Sequence, residues 1–137
     1  MNRQKGQSAV EFALIVPLFL ILILGMIYGG FAYADYLQYS TAVREAARDI
    51  AVQKPAKREI LITGLNSNSA SVVEHYASPL TKLYQAEFSA ELKKEENEPR
   101  FVTVKVTLTR AADVSILPEK LAPLQCTMPL EKESSET

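Results

Sequence analysis

The sequence predicts an α+β protein. A long amino-terminal helix crosses a membrane and then carries a small antiparallel β-sheet domain on its outer half. Three features of the 137-residue chain predict this class. Residues 12–34 form a run of 23 residues without a charged side chain. An apolar stripe with helical spacing continues beyond that run to Ile50. Two stretches of alternating apolar and polar residues follow, separated by a polar turn.

The uncharged run is long enough to cross a bilayer, because a helix needs about 20 such residues to pass ~30 Å of hydrocarbon. We assign the membrane-spanning helix to residues 7–34. The alternatives are a signal peptide, whose apolar segment is usually only about 7–15 residues long, and a buried core helix, for which the chain offers no large apolar cover. Arg3 and Lys5 precede the span, and short basic flanks stay in the cytoplasm, so we expect the amino end inside and the rest outside.

The helix is expected to continue past the membrane as an amphipathic segment, residues 35–55. Its apolar positions recur every three or four residues, which is the spacing of one helical face. The members of this stripe are Tyr28, Ala32, Tyr36, Tyr39, Val43, Ala46 and Ile50. Pro55 is expected to end the helix, since the residue before a proline is pushed out of the helical conformation.

The remaining residues, 56–137, predict a small extracytoplasmic α+β domain. Residues 57–64 are either a last helical turn or a linker closed by Gly64, and a short helix is expected at about 69–75. Polarity alternates on both sides of a polar turn, which predicts an antiparallel hairpin at about 83–109 with one dry face. A third strand is expected near 124–130, because a lone hairpin is marginal in water. The stripe of the emerging helix is the expected cover for the dry face.

Composition argues against several classes of function. With 15 basic and 16 acidic residues the net charge is −1, and no basic excess favours nucleic acid. Cys126 is the only cysteine, so we expect a small buried side chain or a bridge to another chain. His75, the only histidine, lacks partners at ligand spacing and is expected at the surface. We find no catalytic motif, metal cluster or phosphate loop, so we predict no cofactor and no enzymatic activity.

Four residues of the span are candidate functional positions. Glu11 is an acid at the mouth of the apolar run, where it is either hydrated at headgroup depth or paired with a positive charge. Pro17 has no N–H and its ring crowds the carbonyl of Ala13, so it predicts a bend that is either a hinge or merely tolerated in a membrane. Gly25 and Gly29 lie one turn apart and would let a second helix approach closely, although glycine is common in spans.

The amino terminus resembles the processing site of type IV pilin-like proteins. A short basic leader ends in Gly6, small or polar residues follow, and Glu11 opens the apolar helix. In that superfamily a prepilin peptidase cuts after the glycine, so the resemblance implies a leader of residues 1–6 and cleavage between Gly6 and Gln7. The wider run 6–18 and the segment 39–48 resemble more closely the TadE-like pseudopilins of the tight-adherence (Tad/Flp) pilus apparatus.

Two departures from the superfamily pattern point to a minor component rather than a main filament subunit. Gln7 stands where main pilins and general-secretion pseudopilins usually carry Phe, and Phe12 stands where major Flp pilins carry Tyr. The resemblance implies a minor, pseudopilin-like role in pilus biogenesis, adhesion or biofilm formation at the bacterial inner membrane. The implied partners are a prepilin peptidase, Flp pilin or other pseudopilins, and the Tad membrane platform with its ATPase.

The arrangement also has a physical rationale. Cleavage would expose an α-amine on Gln7, one helical turn before Glu11, and the carboxylate of one subunit could pair with the amine of a neighbour in a low-dielectric setting. An unpaired acid would oppose association, so the pair would also fix the axial stagger. The sequence therefore favours a structural assembly protein. The alternatives are an unprocessed single-span protein whose outer domain binds or regulates a partner, and an enzyme that uses surface acids such as Glu87 and Glu91.

Overall fold

The computed structural model describes residues 3–96, 98–111 and 113–131. Residues 1 and 2 of the expected leader and the tail 132–137 lie outside the described residues. Helices come first along the chain and strands follow, which confirms the α+β class. The elements are α1 (Arg3–Val52), α2 (Pro55–Asn66), α3 (Ala70–Tyr76), β1 (Tyr84–Glu95), β2 (Glu98–Arg110) and β3 (Leu124–Pro129).

Helix α1 runs for 50 residues, which is about 75 Å at 1.5 Å per residue. It passes without a break through the predicted span and through the amphipathic segment as far as Val52, and Pro17 lies inside it. Part of Gly6–Val52 is apolar and long enough to cross a membrane, and none of its most apolar 18-residue window is buried within the protein. Leu14 and Met26, for example, are 71% and 73% exposed. This half of α1 therefore has the uncovered apolar surface of a membrane anchor.

The outer half of α1 carries the sheet. Strands pair antiparallel in the order β1-β2-β3, so both the predicted hairpin and the third strand are present. The inward face of β2 is fully buried at Val102, Val104, Val106 and Leu108. It forms one core with the predicted stripe, in which Tyr39, Val43, Ala46 and Ile50 are buried. The rings of Tyr39 and Phe88 lie 6.5 Å apart across this helix–sheet contact.

The connection after α1 differs from the sequence expectation. The helix ends at Val52, and Pro55 is the first residue of α2. Proline suits that position because the first helical residue needs no N–H partner and has the φ that proline fixes. Residues 57–64 therefore belong to a regular helix, and Gly64 lies inside it instead of closing a linker. A Cβ on Gly64 would lie 3.2 Å from Cγ2 of Val72, so the glycine allows α3 to approach closely.

The outer edge of β1 is capped by two asparagine side chains. Asn66 accepts the N–H of Ala90 at 2.7 Å and donates to the carbonyl of Ala90 at 3.1 Å. The Oδ1 atom of Asn68 accepts the N–H of Phe88 at 2.7 Å. These bonds imitate part of an extra strand, and a strand edge that is already paired resists pairing with another chain.

The other edge of the sheet is short and contains proline. The N–H of Leu130 donates to the carbonyl of Arg100 at 2.8 Å, and N–H groups alternate in direction along a strand. Within β3 this leaves the N–H groups of Gln125 and Thr127 facing outward, because Pro129 has none. A short edge strand with few outward donors is a poor template for a further strand.

Arg58 closes the carboxyl end of α1. It is buried, at 8% exposure. Its Nε donates to the carbonyl of Ile50 at 3.2 Å and its Nη2 donates to the carbonyl of Gln53 at 2.9 Å. The Ile50 carbonyl is among those that a helix leaves without partners at its end, and Gln53 directly follows the last residue of α1. The helix dipole also favours a cation there.

We expect Arg58→Met to lower the free energy of unfolding by about 1.5–3 kcal/mol, the usual worth of hydrogen bonds from a charged group. Lys57→Met is the matched control, because Lys57 is exposed on the same helix and the charge change is identical. Urea unfolding of the full chain in detergent micelles, followed by near-ultraviolet circular dichroism, measures both. Equal effects of the two variants would contradict the assignment.

A tyrosine joins α3 to α1. The hydroxyl of Tyr76 donates to Oδ2 of Asp49 at 3.1 Å. Burial, followed by the bond to Asp49 and the charges of Asp49 and Glu45, raises the pKa of Tyr76 from 10.0 to about 12. Because the pKa is higher in the folded state, this interaction stabilises the fold fully below pH 10 and is lost as the pH rises to about 12.

We therefore expect the unfolding midpoint of the native chain to fall more steeply between pH 10 and about 12 than that of Tyr76→Phe. The phenylalanine variant is less stable at neutral pH because it lacks the bond to Asp49, but it has no Tyr76 proton to lose. Thermal unfolding across this pH range measures the two slopes. Parallel curves for the two proteins would show that Tyr76 does not titrate with folding.

Candidate association surface of the amino-terminal helix

The structure places every candidate position of the span on one helix. Gly6, Gln7 and Glu11 are all exposed in α1. Glu11 lies four residues after Gln7, so the two side chains are neighbours on one face of the helix. The arrangement that the sequence predicted, an acid one turn from the candidate new amino terminus, is therefore compatible with the backbone.

The glycine pair lies on that same face. In a helix of 3.6 residues per turn, 18 residues make five turns. Gln7 and Gly25 are separated by that interval, and so are Glu11 and Gly29. The candidate processing site, the acid and the two glycines therefore form one line along the membrane half of α1.

This line is open in the structure. A Cβ added at Gly25 or Gly29 would meet no atom within 4 Å, so the backbone there is accessible to a second helix. Pro17 lies between the acid and the glycines, inside the continuous helix. Its missing N–H leaves the carbonyl of Ala13 without its usual helical partner.

The outer end of the same face is covered by the protein itself. Tyr36 and Val43 continue the line, and Ala32 is only 7% exposed under the core. Tyr28 also packs against this core. On the amino-terminal side of Ala32 the face is thus open to a neighbouring helix, and on the carboxyl-terminal side it is covered by the sheet.

Sequence reasoning missed the group that stands at this transition. Asp35 is 1% exposed, and its Oδ1 accepts the N–H of Leu80 at 2.8 Å and the N–H of Thr81 at 3.3 Å. The hydroxyl of Thr81 donates to Oδ2 of Asp35. One carboxylate thus holds the loop 77–83 against α1. Burial, followed by the charge of Asp35, raises the pKa of Tyr39 above its ordinary value.

A signal for this role is present in the sequence. Ala32, Asp35, Tyr39 and Ala42 are spaced by three or four residues, so Asp35 falls on the apolar stripe. A charged residue on a stripe that the sheet buries requires hydrogen-bond donors from another element. The orientation predicted above rests on Arg3 and Lys5 alone, and Asp35 was not recognised as a member of the buried stripe.

The other chemistry-bearing residues do not form a site. His75 is exposed and lies edge-on to the ring of Tyr76, with 5.0 Å between ring centroids. Cys126 is half-buried at the margin of the core, which is less buried than the sequence analysis expected. Among residues 3–96, 98–111 and 113–131, no group of three or more His, Cys, Asp or Glu side chains is arranged to hold a metal ion.

Comparison with known proteins finds a similarity in the helix α1. No curated protein and no solved structure shows significant similarity to the chain. The family described as TadE-like protein matches residues 6–48, from the candidate cleavage glycine to the last turns of α1. The match confirms the resemblance drawn from the sequence and indicates a component related to the Tad pilus. Residues 6–48 of this chain are therefore similar to the TadE-like family.

Proposed function

We propose that the chain is a minor, pilin-like structural component of a Tad/Flp-type pilus and that its task is association rather than chemistry. A prepilin peptidase cuts between Gly6 and Gln7 and releases a leader of residues 1–6. The mature helix then packs through its membrane half against pilins or pseudopilins, with the Tad membrane platform and its ATPase as the assembly machinery. The process serves pilus biogenesis, adhesion or biofilm formation.

One observation carries this proposal: the family match and the open face of α1 coincide. The matched segment begins at Gly6 and contains Glu11, Gly25 and Gly29. It covers α1 and none of the sheet. The similarity to the TadE-like family thus lies in the helix whose apolar half is left uncovered by the described residues.

The edges of the sheet are poorly suited to assembly, which leaves the helix as the association surface. Asn66 and Asn68 cap the edge of β1, and Pro129 limits the donors of β3. Edge-to-edge pairing of strands is therefore disfavoured as a route to assembly. The apolar half of α1 remains as the surface that gains most from a neighbour.

The proposed topology follows from the charges that flank the span. Arg3 and Lys5 keep the amino end in the cytoplasm before cleavage. Residues 7–34 cross the bacterial inner membrane, residues 35–52 continue α1, and residues 56–137 form the domain on the periplasmic or extracellular side.

Processing is the most informative test of this function. We expect the chain expressed with an active prepilin peptidase to begin at Gln7, and the chain expressed without it to keep its leader. Mass spectrometry of the intact protein from membranes reads the difference. A Gly6→Leu variant is expected to keep its leader in both strains. A native chain that retains Arg3 and Lys5 in the presence of the peptidase would overturn the proposal.

The second candidate is an unprocessed single-span protein whose outer domain binds or regulates a partner. A shallow surface at the start of α2 favours it. Lys57, Ile60 and Leu61 meet Gln53 of the α1–α2 connection there, and Ile60 is 71% exposed. This candidate predicts that Ile60→Ser impairs function while Glu11→Ala does not. The assembly function predicts the reverse.

A further inference from the structure

The outer domain has no linker that would hold it away from the bilayer. Twenty helical residues span ~30 Å of hydrocarbon, and counting from Phe12 places the outer limit near Phe31. Asp35 then lies about 6 Å farther along the axis, within an interfacial layer about 5–8 Å thick. Ala32, next to the hydrocarbon limit, is already buried under the core. The near end of the domain therefore lies at headgroup depth.

The strands define which end of the domain this is. Asp35 holds Leu80 and Thr81, which lead into β1. At the opposite end of the sheet, the N–H of Glu131 donates to the carbonyl of Ala51 at 3.1 Å, close to the outer terminus of α1. The start of β1 thus faces the membrane and the far ends of the strands face away from it.

A second loop lies at the same end as loop 77–83. The register pairs Tyr84 with Arg110, so the chain enters β1 and leaves β2 side by side. The Nη1 atom of Arg110 donates to the carbonyls of Val114 at 3.1 Å and Leu117 at 2.7 Å. The Tyr84 hydroxyl donates to the carbonyl of Pro118 at 2.8 Å. These bonds fix the loop 113–118 at the membrane end.

Each loop exposes one large apolar side chain. Leu80 is 69% exposed and Ile116 is 57% exposed, although Leu117, next to Ile116, is buried in the core. Tyr33, on the lipid side of α1 at about the same height, is 64% exposed, and tyrosine is enriched at membrane interfaces. Apolar side chains that are exposed on fixed loops at headgroup depth gain from contact with the lipid.

We propose that Leu80 and Ile116 enter the interfacial layer of the bilayer, so that the domain contacts the membrane at two loops in addition to its helix. The contact is continuous with the membrane span, on which this inference depends. It holds the sheet in one orientation relative to the membrane. The lipid acyl chains just below the headgroups cover both side chains.

The test uses the full chain in vesicles of phosphatidylcholine and phosphatidylglycerol. In a Cys126→Ser background, single cysteines from Leu80→Cys, Ile116→Cys and Ile60→Cys carry a small fluorophore. Ile60 is the control position, because it is 71% exposed but far from the membrane. It lies near Arg58, which binds the carbonyl of Ile50. Ile50 is about 23 Å along α1 from Asp35. A nitroxide lipid labelled just below its headgroup quenches fluorophores that reach that depth.

We expect severalfold stronger quenching at positions 80 and 116 than at position 60. Equal quenching at all three positions overturns the proposal. A second outcome also overturns it: the fluorophores at 80 and 116 stay shielded from water in lipid-free detergent, and the shielding grows with protein concentration. A second copy of the chain, not lipid, then covers the loops. A fourth label from Leu22→Cys reports the span itself. If a nitroxide deep in the acyl chains quenches the label at 22 but the shallow nitroxide does not quench 80 and 116, the loop contact is rejected and the membrane anchor stands. If no nitroxide quenches the label at 22, the anchor itself is rejected.

Discussion

Asp35→Ala is expected to lower the free energy of unfolding of the outer domain by about 2–3 kcal/mol, because it removes the buried acceptor of three part-buried hydrogen bonds. The N–H groups of Leu80 and Thr81 both point at Asp35 Oδ1. Such a loss is a large fraction of the total of about 5–15 kcal/mol for a domain. Urea unfolding of the full chain in micelles measures it.

The control for Asp35 is another acid at the membrane end of the domain. Asp113 is exposed in the loop that follows β2, so Asp113→Ala changes the net charge identically without removing a buried acceptor. We expect it to be nearly neutral. Faster proteolysis of the loop 77–83 in Asp35→Ala would identify the released segment. If both variants unfold at the same urea concentration, Asp35 does not hold the loop.

Glu11→Ala is expected to weaken association strongly while leaving cleavage and the fold intact. A charge pair 4 Å apart contributes about 4 kcal/mol at an effective dielectric constant near 20. Losing it should reduce the amount of pilin-like partner recovered with the chain by at least about tenfold, which corresponds to about 1.4 kcal/mol. Affinity isolation from membranes followed by mass spectrometry counts the partners.

The matched control for Glu11 lies on the same helix. Glu45 is an exposed acid on the outer half of α1, and Glu45→Ala should leave partner recovery unchanged. Circular dichroism should show the same helix content in both variants, since Glu11 is exposed and touches no core residue. Normal recovery with Glu11→Ala would mean that the acid is simply hydrated at headgroup depth.

The sequence predicted the features that depend on local periodicity. The uncharged run and the stripe ending at Ile50 predicted one continuous helix, because a 3.6-residue period repeats along the whole segment. Alternation around residues 83–109 predicted the hairpin and its buried face, since side chains of a strand alternate between two faces. The buried positions Val102, Val104 and Val106 follow directly.

Features that depend on tertiary contacts were missed. Arg58 binds a carbonyl of another helix, and Asn66 and Asn68 pair with a strand 20 or more residues away. Such partners have no fixed spacing in sequence, so no periodicity reveals them. Gly64 was misread for a related reason: a glycine that ends a segment and one that admits a neighbouring helix look alike until the neighbour's position is known.

The candidate site was more accessible to sequence analysis because it is linear. Gln7, Glu11, Gly25 and Gly29 lie within 23 residues of one helix, and their common face follows from the helical repeat alone. The end of that face could not be predicted, because it depends on where the sheet descends onto Ala32 and Asp35.

Whether cleavage permits association through α1 is the central question, and isolation of the chain from cells with and without the peptidase answers it most directly. Two differently tagged copies are expressed together with the other pilus proteins. The account predicts that chains beginning at Gln7 bring down a second copy or another pilin-like protein, whereas chains that keep their leader bring down neither. Equal recovery from uncleaved chains, or solitary chains that all begin at Gln7, would contradict it.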